Sequence, residues 1–129
     1  MSTPLMVVTT NKARKKMAKA IGETGQIARV VELAFGIGGV DEHNQPIAPD
    51  VVDNSLKNEV FRVPVELVSY PMETTVRFKV TLNQPEHNGH ELSEFGIVDE
   101  DGDFMGIQTF SIKTKDPLSE FVFDWDIEF

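Results

Sequence analysis

The chain contains no cysteine among its 129 residues. Disulfides, iron–sulfur clusters, thiolate zinc sites and cysteine nucleophiles are therefore excluded, and the composition fits a reducing compartment. Long hydrophobic runs are also missing, since a membrane helix needs about 20 apolar residues in succession. The first ten residues lack the basic start and apolar stretch of a secretory signal. We therefore expect no membrane span and no export signal.

Positive charge is scarce, because 12 lysines and arginines stand against 21 aspartates and glutamates, for a formal net charge of −9. Phosphate backbones repel such a surface, so nucleic-acid binding is not expected. Five cations are nevertheless concentrated in residues 11–21, without an acid among them: Lys12, Arg14, Lys15, Lys16 and Lys19. A basic segment on an acidic body suggests a charge-complementary contact, within the fold or between subunits. The alternative is a solvated helix face. We take these five cations as a candidate docking surface.

The length predicts one domain, residues 1–129, large enough to bury a core without covalent staples. Its basic segment has helical periodicity, with Ala13, Met17, Ala20 and Ile21 on one apolar stripe. Thr9, Thr10 or Asn11 can cap the start of this helix, and Gly22 is expected to end it. The sequence therefore predicts one N-terminal amphipathic helix.

The rest of the chain is rich in runs typical of strands. Alternation of apolar and polar residues is clear in TVRFKVTL and in SEFVFDWDIEF, and four further runs resemble strands. Pro64 interrupts one run and predicts an edge strand or a bulge there. The predicted fold class is α+β, mostly β. One helix packs on about six mainly antiparallel strands, arranged as a single sheet or a two-sheet sandwich.

The stretch EFGIVDEDGDFMG carries four acids around one glycine. Asp99, Asp101 and Asp103 have the ligand spacing of a calcium loop, but Phe104 stands at the position where that loop requires glycine. Residues on both sides alternate like strands. The stretch therefore predicts a hairpin tip, with Asp101 and Gly102 in a type I′ turn or a bulged turn, and no metal site.

Two other motifs that suggest chemistry also fail in detail. The stretch FGIGG lacks the ending of a phosphate loop, so Gly36, Gly38 and Gly39 predict a chain reversal that needs flexible backbone. His87 and His90 have a zinc-like spacing, but the Asn-Gly between them indicates a turn that separates the rings. No nucleophile–histidine–acid pattern is evident. We expect no enzyme activity, no cofactor and no small-molecule substrate.

Three segments in order resemble the N-terminal domain of phage tail-collar fibre proteins. In that family a helix precedes an AxGxG stretch, a polar loop, an NEVYR-like strand and an REIGLYDADGDL-like hairpin. The corresponding segments here are residues 34–39 (AFGIGG), 58–62 (NEVFR) and 94–104 (EFGIVDEDGDF). The order and spacing of these segments extend the resemblance over nearly the whole chain.

The resemblance implies a structural role in a phage or prophage tail. Domains of this kind attach tail fibres to the baseplate of contractile or related tails, and the fibres are usually trimers. The implied partners are other tail or baseplate proteins and further copies of the chain. The implied location is the virion tail, with assembly in the host cytoplasm. The alternative is a stand-alone strand-rich binding module, with carbohydrate as the ligand to consider, and a small hydrolase is a third interpretation.

Overall fold

The computed structural model describes residues 6–129 as one helix and eight strands in two antiparallel sheets. Helix α1 spans Asn11–Lys19 and continues as a wider turn over Ala20–Thr24. The strands are β1 (Val7–Thr9), β2 (Val30–Gly36), β3 (Glu59–Pro64), β4 (Leu67–Met72), β5 (Thr75–Leu82), β6 (Glu91–Asp99), β7 (Phe104–Thr114) and β8 (Phe121–Glu128). The predicted fold class, mostly β with one helix, is confirmed.

The two sheets pack face to face around an aromatic core. The larger sheet has the order β1-β7-β6-β2-β3, and the smaller has the order β4-β5-β8. Phe35 and Phe95 of the larger sheet meet Phe123 and Trp125 of the smaller, with ring centroids 4.9 Å apart for Phe35 and Phe123. Aromatic pairs at such distances add to the stabilisation from area burial. Of the two arrangements that the sequence allowed, the sandwich is the one observed.

Helix α1 is fixed to the larger sheet by its N-cap residue, Thr10. The Thr10 hydroxyl accepts a hydrogen bond from the Ala13 N–H at 3.1 Å and donates one to the Phe104 carbonyl at 2.7 Å. One side chain therefore caps the helix and ties it to β7. Ala13 and Met17 then pack against the core. This attachment brings the basic face of α1 next to the turn between β6 and β7.

Two boundaries differ from the sequence predictions. The helical segment ends at Gly25, which has φ of +65°, and not at Gly22. The apolar stripe ends early as well, because Ile21 is 89% exposed. The run predicted as one strand around Pro64 forms β3 and β4, since the chain crosses between the sheets after Pro64. With the short β1, this split gives eight strands instead of about six, and β3 lies at a sheet edge as Pro64 indicated.

Among the helices of residues 6–129, none combines the length and the apolar composition that crossing a membrane requires.

Candidate functional site

The acidic segment forms a hairpin between β6 and β7. The Asp99 carbonyl accepts from the Gly102 N–H, the Asp99 N–H donates to the Asp103 carbonyl, and both distances are 3.0 Å. Gly102 has φ of +84°, whereas Asp101 has a negative φ, so the turn is the bulged form and not type I′. The Asp99 side chain also accepts the N–H groups of Asp101 and Asp103 at 3.0 Å each. Asp99 thus shapes the loop from inside.

Lys16 of α1 lies at the centre of this hairpin. Its Nζ is 2.6 Å from Asp99 Oδ2, 2.9 Å from Asp101 Oδ2 and 2.7 Å from Asp103 Oδ2. Burial alone would lower the pKa of Lys16, but its contacts with Asp103, Asp99 and Asp101 outweigh burial and raise that pKa. The contact with Lys16 likewise lowers the pKa of Asp103. The ion cluster fixes the helix to the hairpin tip.

This cluster identifies one partner of the basic segment as the acidic segment of the same chain. The carboxylate oxygens of Asp99, Asp101 and Asp103 lie within 4.8 Å of one another, close enough to share a cation. Lys16 contacts all three, so its ammonium is the cation that they share. Lys16 therefore forms its three ion pairs within the fold.

The remaining four cations of α1, Lys12, Arg14, Lys15 and Lys19, have exposed side chains. Three of them, Lys12, Lys15 and Lys19, line a shallow groove of about 440 Å³ beside the hairpin tip. Ile21 lies two residues after Lys19 and is almost fully exposed. Apolar residues surrounded by charged ones are common at protein interfaces. We call Lys12, Arg14, Lys15, Lys19 and Ile21 the helix surface.

Glu94 on β6 is a second centre, which the sequence analysis did not identify. Its side chain is 1% exposed and accepts three backbone N–H groups: Gly38 at 2.8 Å, Lys57 at 2.9 Å and Asn58 at 2.8 Å. Backbone donors satisfy a buried carboxylate because each one supplies a hydrogen bond that water would otherwise provide. Glu94 therefore joins all three segments that carry the family resemblance.

The glycine stretch is required by this close packing. Gly36, Gly38 and Gly39 do not have positive φ, which corrects the reason predicted for them, a need for flexible backbone. A Cβ on Gly36 would lie 2.5 Å from the Asn58 carbonyl oxygen, and one on Gly39 would lie 2.1 Å from the Ser93 carbonyl oxygen. The sequence signal for the site is an acid close to the apolar residues Leu92 and Phe95 of a predicted strand.

The histidines are separated by their environments. His87 is buried and stacks on Phe61 with centroids 4.5 Å apart, and its Nδ1 is buried without a hydrogen-bond partner. His90 lies beside the same Phe61 ring, with centroids 5.6 Å apart and the two planes tilted by 54°. His43 is exposed in the loop that follows β2. His87 is thus a core residue of the loop that precedes β6.

The buried His87 predicts a loss of stability in mild acid. Burial lowers its pKa, Glu86 opposes this, and Lys115 and His90 add to it. The unfolded chain binds the proton more readily, so stability falls as pH drops below 6.5, the ordinary histidine value. His87→Phe should keep the stack and remove this loss. Thermal melting of both proteins between pH 7.5 and 5 measures it, and parallel curves would contradict it.

These contacts define the class of the protein, which is a strand-rich structural domain. Its acidic hairpin holds α1, and its glycine stretch packs against Glu94 of β6. The family model for the phage tail-collar fibre protein, N-terminal, matches residues 1–123. The chain belongs to this family and is a structural component of a phage tail. No curated protein and no solved structure matches the chain. The resemblance stated from the sequence is confirmed.

Proposed function

We propose that this domain attaches a tail fibre to the baseplate of a phage or prophage tail and docks through the helix surface. The observation that carries the proposal is the exposure of four cations of α1 in a chain of net charge −9. Three of these cations, Lys12, Lys15 and Lys19, line one groove, where their like charges repel one another. An acidic partner relieves that repulsion and guides the encounter. The chain assembles as a trimer in the virion tail after folding in the host cytoplasm.

The proposal includes no catalytic activity and no small-molecule substrate, because the family is a structural one. Carbohydrate binding is the competing function, and a groove of about 490 Å³ between the sheets is the place to consider. Its lining is mostly aliphatic, with Tyr70 as its exposed aromatic. Stacking on sugars commonly needs aromatic faces together with polar groups for the hydroxyls, so this groove gives the alternative little support.

Charge reversal on the helix surface tests the attachment. Lys15→Glu with Lys19→Glu should reduce incorporation of the protein into tails at least about tenfold, since like charges at an interface cost several kcal/mol. Lys16 is left unchanged, because its reversal would unfold the hairpin and mimic a docking defect. Incorporation is measured by immunoblot of purified particles from a complemented phage.

The matched control reverses two exposed lysines elsewhere, Lys57→Glu with Lys113→Glu, and keeps the same net charge. It should incorporate normally. Both double variants should remain trimers by light scattering and should melt within a few degrees of the wild type. Normal incorporation of the helix variant would refute docking through α1, and a monomeric wild type would favour a stand-alone module.

A further inference from the structure

The sandwich has four edge strands, and three of them are poorly suited to pairing. β1 has three residues, β3 ends in Pro64, and β4 contains Pro71 and a register shift after Ser69. Short strands, prolines and bulges are the features by which proteins protect sheet edges. β8 has none of them: its eight residues pair with β5 in one unbroken register, and no strand of residues 6–129 pairs with its other side.

The backbone groups at this free edge can be assigned. The Phe129 N–H donates to the Thr74 carbonyl at 2.9 Å, so these two residues face each other as a hydrogen-bonded pair. Direction alternates along an antiparallel ladder, and the register has no bulge. The N–H and C=O groups that point away from β5 therefore belong to the alternate residues Val122, Asp124, Asp126 and Glu128. They offer an incoming strand a complete row of donors and acceptors.

The side chains of the same residues specify the charge of a partner. On the paired side, β5 places Arg77 opposite Asp126 and Lys79 opposite Asp124. The Arg77 guanidinium binds Asp126 with two contacts of 2.8 and 2.9 Å. A strand on the free side meets Asp124 and Glu128, which form no ion pair among residues 6–129, and Asp126, which Arg77 already binds. Opposite charges across strands stabilise a sheet and like charges destabilise it, so the edge favours a strand with cations at alternate positions.

A second copy of this chain does not provide such a strand. Two β8 edges would place acids against acids. The other edge strands β1, β3 and β4 contain one cation among them, Arg62, which already contacts Glu59 and Glu32. Between the β8 edge and β1 lies a slot of about 220 Å³ lined by Val7, Val8 and Trp125, among others. We expect this slot to hold the apolar side chains that alternate with the cations along the partner strand.

We propose that the free edge of β8 is a strand-docking site for an extended segment of another tail protein, with basic and apolar residues in alternation. Strand addition of this kind takes its affinity from the backbone and its specificity from alternate side chains. The site deepens the proposed attachment function, on which it rests, by naming a second surface and the chemistry of its partner. It does not include the helix surface, so the two can be tested separately.

The test uses the full chain and a fluorescein-labelled peptide, TVRFKVTL, which has the sequence of β5. The native β5 pairs with the other edge of β8, so this sequence has the alternation of cations and apolar residues that the free edge should bind. Fluorescence anisotropy should show binding that weakens several-fold between 50 and about 300 mM salt. A peptide with glutamate in place of its two cations should bind at least about tenfold more weakly. Equal binding of the two peptides, or binding of neither, would overturn the proposal.

Two protein variants locate the site. Val122→Pro removes an N–H donor that faces the free edge and leaves the β5 ladder intact, so it should abolish peptide binding. If the peptide instead replaces the native β5, Val122→Pro should still bind it. Undiminished binding to this variant would therefore overturn the proposal. Asp124→Lys with Glu128→Lys should reverse the preference, so that the acidic peptide binds better. Melting curves confirm folding.

Sedimentation of the wild type and of Val122→Pro tests a second copy as the occupant. Loss of the oligomer in the proline variant would assign the edge to self-association and overturn the proposal. If the peptides bind as expected but the helix-surface variant enters tails normally, only docking through α1 fails. If the peptides do not bind but the helix-surface variant fails to enter tails, the strand-docking proposal is wrong and the attachment proposal stands.

Discussion

Replacing the buried Glu94 with alanine should lower the free energy of unfolding by about 4 kcal/mol, because three part-buried backbone N–H groups lose a charged acceptor. Glu94→Gln should recover little of the loss, since its amide NH₂ faces donors where the carboxylate offered oxygens. Urea denaturation followed by circular dichroism measures both changes.

Glu91→Ala is the matched control, because Glu91 lies on the same strand with an exposed side chain. It should change stability by less than about 0.5 kcal/mol. A loss for Glu94→Ala no larger than for Glu91→Ala would mean that the glycine loop is held by its own packing. Gly39→Ala provides an independent check of the same junction, since its Cβ would meet the Ser93 carbonyl at 2.1 Å.

The strand content of the fold could be predicted because burial on one face of a sheet leaves a period of two in the sequence. In β5 the alternate residues Phe78, Val80 and Leu82 are buried, as the pattern indicated. The pattern failed where the chain changes sheets. The alternation that starts at Phe61 predicts, if continued, that Leu67 lies on the inner face, but the crossing after Pro64 leaves Leu67 53% exposed.

The Lys16 ion cluster and the Glu94 site could not be predicted, because both depend on contacts between residues that are distant in the sequence. Lys16 and Asp99 are 83 residues apart. Helical periodicity places Lys16 at the border of the apolar stripe, but it does not identify the partner of this lysine. A charge count indicated that basic and acidic segments attract, and only the structure identifies which lysine is used within the fold. For Glu94, the sequence shows an acid in a strand, whereas its partners are backbone groups that carry no sequence signal.

Replacing Lys16 with methionine should lower the free energy of unfolding by about 2 to 3 kcal/mol at neutral pH, because Asp99 is left buried without its cation. The size of this loss should depend on pH. Lys16 lowers the pKa of Asp103 below its ordinary value of 3.8, so this stabilisation is present above pH 3.8 and is lost as pH falls through the folded value. The pKa of Lys16 is raised in the folded protein, so the stabilisation from its positive charge is fully present below pH 10.5, the ordinary lysine value.

The difference between wild type and Lys16→Met should therefore be constant between about pH 5 and pH 9 and should narrow below pH 3.8. Urea denaturation at pH 7, 5 and 3 measures it. Lys15→Met removes the same charge from the exposed neighbour and should cost less than about 0.5 kcal/mol at each pH. Equal losses for the two variants, or a difference at pH 3 as large as at pH 7, would show that the carboxylates do not depend on Lys16. The expected result would instead show that Lys16 neutralises the hairpin carboxylates within the chain, which leaves the outer cations of α1 free for a partner.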